Sequence, residues 1–251
     1  MAGREPSYDI MGVAGCLSYS RGQVREEGQD VCSEEIVVIS LNGRPITSQV
    51  ATPSQLEELG AGFVISQGLA RSVERVSVDG LTVNVEADRE AAPLRSFVES
   101  SGGTASDALM RRVESDLVIT PDEVFAVVSA IVSDLWEKTG GAHCSVLYSE
   151  GRVIVKSTDI GRHNTVDKVI GHAVLSGIDL SRCVLGCTGR QPLGMVTKAA
   201  NAGIPIVASK AATTTRGVEQ ADRAGITLVC RVKEGGFSVY SHPHRIAGLT
   251  P

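Results

Sequence analysis

The densest set of reactive side chains in this sequence is Asp159, Arg162, His163, Asn164, Asp167 and Lys168, which leaves an apolar strand and enters a helix. A helix start presents unpaired N–H groups and a partial positive charge. Arg162 and His163 beside one therefore suit a phosphate, and Asp159 can accept an N–H or O–H from a base or sugar. Taken singly, these residues also have ordinary uses, Asn164 as a helix cap and Asp167 with Lys168 as solvated surface. A second group, Cys187, Thr188, Gly189 and Arg190, also follows a strand. Its glycine permits close backbone approach and its arginine can grip a phosphate with two nitrogens. A third, Ser209 and Lys210 with Thr213, Thr214 and Thr215, offers hydroxyls that cap a helix or bind phosphate. The tip Arg231, Val232, Lys233, Glu234, Gly235 and Gly236 reads as a hairpin turn that adds cations to the same set, and His143, after Gly140 and Gly141, can hydrogen-bond a ligand.

Histidine and cysteine recur, so zinc is a natural question. A zinc deaminase needs H-x-E and P-C-x-x-C to hold metal, water and general acid. Here His143 is followed by Cys144 and Ser145 with no Glu two beyond it, and Cys183 and Cys187 flank three residues of an apolar strand. The sequence predicts no structural zinc. Without a G-x-G-x-x-G it also predicts no Rossmann dinucleotide site. The six cysteines, at 16, 32, 144, 183, 187 and 230, form no C-x-x-C and are too sparse for a disulfide framework, so reduced thiols in a cytoplasm are expected. Cys187 beside Arg190 and Cys144 beside His143 are the candidates for an activated thiolate, although free cysteine is usually buried. Cys16 and Cys32 read as exposed but lacking an activating neighbour.

The elements that must position these residues follow from pattern. With 42% hydrophobic and 21% charged residues the chain is globular, and no apolar run reaches the roughly 18 residues of a membrane helix. The start, MAGREPSYDI, has neither a basic nor an apolar leader region, so an unexported protein is expected. Residues 1–34 show no periodicity and are expected to be loosely ordered. Residues 35–115 read as a smaller α+β domain: a strand over 36–41 closed by Asn42-Gly43, a helix from Thr52-Pro53-Ser54 to about Gly68, two short strands within 73–86, and a mobile loop over about 90–107. Residues 116–251 open on Thr120-Pro121-Asp122-Glu123, a capping box, and one helix is expected to run from there through Val124, Val128 and Leu135 to Gly140. A hairpin over 144–156, a helix over 165–175, strands over 184–187, 204–208 and 227–232, and helices over 195–202 and 217–224 follow. That order predicts an α/β fold, a three-layer α/β/α sandwich with ligands at the carboxyl ends of its strands. Charge divides along the same line. Residues 1–140 hold 11 Lys and Arg against 22 Asp and Glu, whereas residues 141–251 hold 13 against 7 and all five histidines. An anionic ligand is therefore expected after Gly140, and the acidic half is a poor nucleic-acid surface.

Several segments together resemble the FdhD family of formate dehydrogenase accessory proteins. They are Asn42-Gly43, Thr52-Pro53 with Glu58-Leu59 and Gly62-Phe63, Gly140-Gly141-Ala142-His143, Asp159 to Asn164 with Asp167 to Gly171, Gly189-Arg190, and Val239-Tyr240. The resemblance implies a C-terminal domain similar to cytidine deaminases without their zinc, and a smaller N-terminal β-containing domain. It also implies a cargo, the molybdenum or tungsten bis(pterin guanine dinucleotide) cofactor. That cargo would be sulfurated with sulfur from a cysteine desulfurase before insertion into formate dehydrogenase. The implied cofactor contacts are Asp159, Arg162, His163, Thr188, Arg190 and the 231–236 hairpin, and a homodimer is expected. One departure matters: where the family carries its sulfur-bearing C-x-x-C, this chain has Gly102 and Ala105. Thr158 also replaces a family Glu, and the family pattern is lost around Gln191 to Gly194. Two readings follow, a sulfurtransferase whose transfer step is altered, and a chaperone that holds the cofactor without carrying sulfur.

Overall fold

A computed structural model describes residues 8–88 and 112–249. Strands β1 (Met11–Ser20) and β2 (Gln23–Cys32) form an antiparallel hairpin turned by Arg21 and Gly22, both at positive φ. This differs from the expected loose segment. The hairpin leaves most side chains of both faces in solvent, Val13, Leu17 and Tyr19 among them, so it buries no stripe that a periodic pattern could reveal.

Strands β3 (Glu35–Leu41), β4 (Arg44–Ala51), β5 (Val73–Asp79) and β6 (Thr82–Ala87) make a sheet ordered β4-β3-β6-β5. Asn42 and Gly43, both at positive φ, make the tight turn between β3 and β4. Helix α1 (Leu56–Ser66) covers one face, with Leu56, Leu59 and Phe63 meeting Val37, Ile39, Val83 and Val85.

The second unit begins with α2 (Pro121–Ser129), whose Thr120 and Glu123 form both halves of the capping box. The single helix expected to Gly140 is in fact two. Helix α2 stops, and Ser133 caps a new helix, α3 (Asp134–Thr139), by accepting from the Trp136 N–H. The carbonyls freed at the break are occupied: Lys156 Nζ donates to Val132 at 2.8 Å and Lys210 Nζ reaches Ile131 at 3.5 Å.

Strands β7 (His143–Ser149), β8 (Arg152–Asp159), β9 (Val184–Cys187), β10 (Ile206–Ser209), β11 (Thr227–Lys233) and β12 (Gly236–Ser241) form one sheet, ordered β12-β11-β10-β9-β7-β8. The central three are parallel and the flanks antiparallel. Alternation along the strands divides the core. Leu185, Cys187, Val207, Leu228 and Cys230 pack with α4 (Arg162–Leu175), α5 (Leu193–Asn201) and α6 (Thr215–Ala224), while Val184, Ile206, Ala208 and Val229 pack with α2. Helices thus lie against both faces of this sheet. Among the described residues, no helix is long and apolar enough to cross a membrane.

Helices α1 and α4 join the two units, and they do so backbone to backbone. A Cβ on Gly62 would stand 1.7 Å from the Asp167 carbonyl oxygen, and one on Gly171 would stand 1.9 Å from that of Glu58. Only glycine permits this approach.

Candidate functional site

Because β7 runs antiparallel to both neighbours, its start meets their ends. His143 pairs with Asp159, Ser145 with Cys187, and Cys187 in turn with Ser209. The carboxyl ends of β8, β9 and β10 therefore lie along one edge of the sheet. Just past β9, Thr188 is tied to the start of β7: its N–H donates to the Cys144 carbonyl, its hydroxyl accepts from the Cys144 N–H, and that hydroxyl lies 3.1 Å from His143 Nδ1. The Lys210 N–H donates to the Cys187 carbonyl, which fixes the turn beyond β10.

A cavity of about 460 Å³ opens at this edge. His143, Cys144, Thr188 and Lys210 line it from the strand ends, and Ile131, Val132 and Trp136 from the α2–α3 break. Its volume suits a small-molecule ligand, and apolar walls with a few convergent polar groups are the usual make-up of such a site. Burial, and secondarily the charge of Arg162, holds the His143 imidazole below its ordinary pKa against the opposing pull of Asp159. At neutral pH it is an uncharged hydrogen-bonding group beside Thr188.

Arg162 and His163, at the first turn of α4, stand apart from the rest of their string. The Arg162 stem lies on Gly189, where an added Cβ would be 2.9 Å from the Arg162 Cδ. Arg162 Nε and His163 Nε2 are buried without a hydrogen-bond partner. Burial first, then Lys198 and Arg162, pulls His163 down to about 3, so its ring is neutral.

The other members of the string face inward, which differs from the expected cofactor contacts. Asp159 and Lys168 are fully buried and pair at 2.6 Å. Asp159 also accepts from the N–H groups of Thr52 (3.1 Å) and Gly161 (2.8 Å) and from Asn164 Nδ2 (2.9 Å), and Lys168 donates to the Thr52 carbonyl at 2.9 Å. Asn164 donates besides to the Val50 carbonyl. Buried Asp167 is held by Lys198 at 2.7 and 2.8 Å and by the Ser66 hydroxyl. Burial pushes the Asp167 carboxyl up and the Lys168 ammonium down, while the partner charge opposes each. A charge taken out of water needs such partners. Thr52 and Ser66 belong to the first unit, so these four residues bind the two units together.

The remaining expected contacts disperse. Thr214 caps α6 through the Gly217 N–H. Gly189 is buried against Arg162, and Arg190 is exposed beyond it. Of the 231–236 tip, Val232 is buried while Arg231, Lys233 and Glu234 are exposed. Gly235 and Gly236 line a separate apolar groove with Phe125 and Phe237, outside the His143 cavity. The residue that sequence reasoning missed is Trp136. The helical stripe singled out Leu135, and the only available signal was a lone tryptophan placed just before Gly140-Gly141.

The thiols sort by burial. Cys144 is raised, Cys183 is pushed up to about 11, and Cys187 and Cys230 to about 12, in each case chiefly by desolvation. Cys187 is therefore a protonated core thiol, which removes the physical basis for it as a substitute nucleophile. Cys16 and Cys32 are partly exposed, and the Cys32 Sγ lies 3.0 Å from Thr139 Oγ1. Gly102, Ala105 and the loop expected over about 90–107 lie outside the described residues.

The sequence profile of the FdhD/NarQ family matches residues 32–247. The chain is 33% identical over 234 residues to the sulfur carrier protein FdhD of Methanothermobacter thermautotrophicus, covering 88% of this chain and 93% of that one. It is 34% identical over 221 residues to the protein of the same name from Thermoplasma volcanium, covering 78% and 79%. Among solved structures, a chain from Desulfotalea psychrophila assigned as a formate dehydrogenase accessory protein superposes with a TM-score of 0.82 at 28% identity, over 95% of this chain and all of that one.

Proposed function

Because the chain belongs to the FdhD/NarQ family, we propose that it is an accessory protein of formate dehydrogenase maturation that holds the molybdenum or tungsten bis(pterin guanine dinucleotide) cofactor as cargo. One observation carries the reading: a single cavity gathers His143 from β7, Thr188 from beyond β9 and Lys210 from beyond β10. A guanine nucleotide needs a flat apolar slot, hydrogen-bonding groups at its rim and a cation for its phosphates. Ile131, Val132 and Trp136 supply the first, His143 and Thr188 the second, and Lys210 the third. Arg162, close enough to depress the His143 imidazole, adds a further cation. We also read the six-stranded unit, with helices against both faces, as the cytidine-deaminase-like three-layer sandwich. Operation in a cytoplasm, as a homodimer, belongs to the same proposal.

Relatives carry the name sulfur carrier protein. By the resemblance, Gly102 and Ala105 stand where the family carries its thiols, and four of the six cysteines of this chain are buried thiols with raised pKa. Holding the cofactor without carrying sulfur is the reading these facts favour over transfer from a cysteine desulfurase. Calorimetric titration with guanosine diphosphate tests the cargo reading. A saturable heat that Lys210→Ala weakens is expected, and no saturable heat overturns it. Incubation with a cysteine desulfurase, cysteine and a persulfide probe tests the sulfur question. No label, with nucleotide binding retained, is expected, and label on any cysteine peptide supports the sulfurtransferase instead.

A further inference from the structure

Trp136 is the only tryptophan in the chain and is 54% exposed. Its neighbour Leu135 anchors the same short helix in the core at 6% exposure. The indole is therefore presented, not packed. Helix α3 holds the Trp136 backbone from both ends: the Ser133 hydroxyl accepts from the Trp136 main-chain N–H, and the Trp136 carbonyl accepts from the N–H of Gly140, whose positive φ ends the helix. Trp136 lines the cavity together with Val132, which is itself 40% exposed, across from the strand-end residues His143, Thr188 and Lys210. A large aromatic surface is left in water at a polar-rimmed cavity where a partner ring can cover it, because stacking recovers the area that folding left exposed.

We propose that Trp136 is the stacking platform that selects a planar heteroaromatic ring, while Lys210 holds the anionic tail of the same ligand. This rests on the cargo reading and deepens it: the cavity discriminates by ring as well as by charge. Base-on-aromatic stacking is worth about 1–3 kcal/mol by alanine substitution, which converts to roughly 5- to 150-fold in affinity.

The lone tryptophan makes the test direct, since all indole emission reports on this position. Guanosine diphosphate and inorganic pyrophosphate are each titrated by calorimetry against the unmodified protein, Trp136→Phe and Trp136→Ala, and by tryptophan fluorescence against the unmodified protein. The nucleotide is expected to quench the emission with the midpoint found by calorimetry, and pyrophosphate to bind without quenching. Trp136→Ala is expected to weaken the nucleotide by about 5- to 150-fold and pyrophosphate by less than threefold, with Trp136→Phe near the unmodified protein. A circular-dichroism melt of each variant checks that the fold is intact. If the nucleotide binds but the emission is silent and Trp136→Ala binds as tightly, the stacking role is wrong and the cargo reading stands. If neither ligand gives heat, the cargo reading falls and the stacking role with it.

Discussion

Replacing Lys168 by methionine tests whether the buried polar string joins the two units. The ammonium sits 2.6 Å from Asp159 and 2.9 Å from the Thr52 carbonyl, with both charged side chains fully buried. Methionine preserves most of the volume, so the chief loss is charge. Asp159 is left with N–H donors from Thr52, Gly161 and Asn164 and no counter-ion. Removing one partner of a buried pair costs about 3–5 kcal/mol. The three surviving donors place this case at the low end, about 3 kcal/mol, since each hydrogen bond to a charged group keeps roughly 1.5–3 kcal/mol. For a chain of 251 residues that corresponds to a fall of about 6–12 °C in Tm, at roughly 2–4 °C per kcal/mol. Urea melts followed by circular dichroism measure the loss directly. A double-mutant cycle with Asp159→Asn isolates the pair, and the double variant is expected to lose at least about 1.5 kcal/mol less than the sum of the singles. A Lys168→Met protein within about 0.5 kcal/mol of the unmodified one, or an additive cycle, refutes the claim that the pair is a structural joint.

The His163 ring is neutral when folded, with its pKa near 3, but takes a proton near 6.5 when unfolded. Between those values the unfolded chain binds more protons, so stability falls as pH drops, by up to about 1.4 kcal/mol per pH unit. His163→Gln is expected to flatten that slope in urea melts between pH 6.5 and 4.5, and an unchanged slope contradicts the assignment. Gly171→Ala places a methyl 1.9 Å from the Glu58 carbonyl oxygen, so α1 and α4 must separate. A loss of about 1–3 kcal/mol or more in a thermal melt is expected, and an unmoved midpoint sinks the backbone-contact account. A thiol reagent is expected to label only Cys16 and Cys32 rapidly in the folded protein and all six cysteines in urea. Rapid native labelling of Cys187 contradicts the burial that raises its pKa.

Much of this arrangement is legible in the sequence, for reasons that also define where legibility stops. The strands β9, β10 and β11 are apolar runs because both their faces are buried, and Thr120 with Glu123 announces α2 through local hydrogen bonds alone. Signals of this kind act over a few residues. The partner of Asp159 in the first unit, by contrast, is Thr52, 107 positions away, and nothing local distinguishes a carboxylate aimed at a distant backbone from one aimed at a ligand. Side-chain spacing therefore grouped Asp159, Asn164, Asp167 and Lys168 with Arg162 and His163, although the structure divides them. The hairpin of β1 and β2 was illegible because it buries almost nothing, and the helix break before Trp136 because the apolar stripe continues across it through Ile131.

The excess of cations over anions after Gly140, 13 against 7, includes Lys168 and Lys198, but these are neutralised in the interior by Asp159 and Asp167. The surplus thus belongs to other side chains. Arg162, Arg190, Lys210, Arg231 and Lys233 lie at or beyond the carboxyl ends of the strands, and none of them pairs with a carboxylate among the described residues. Unpaired cations at one sheet edge add their potentials there, whereas interior pairs contribute little field outside the molecule. The two halves of the string act on that edge differently. Asp159 and Lys168 tie the start of α4 to Thr52, and Arg162, in the first turn of that helix, lies on Gly189 near His143. Four residues of the string, Asp159, Asn164, Asp167 and Lys168, are thus spent on joining the two units, while Arg162 Nε and His163 Nε2, in the first turn of α4, remain without a hydrogen-bond partner.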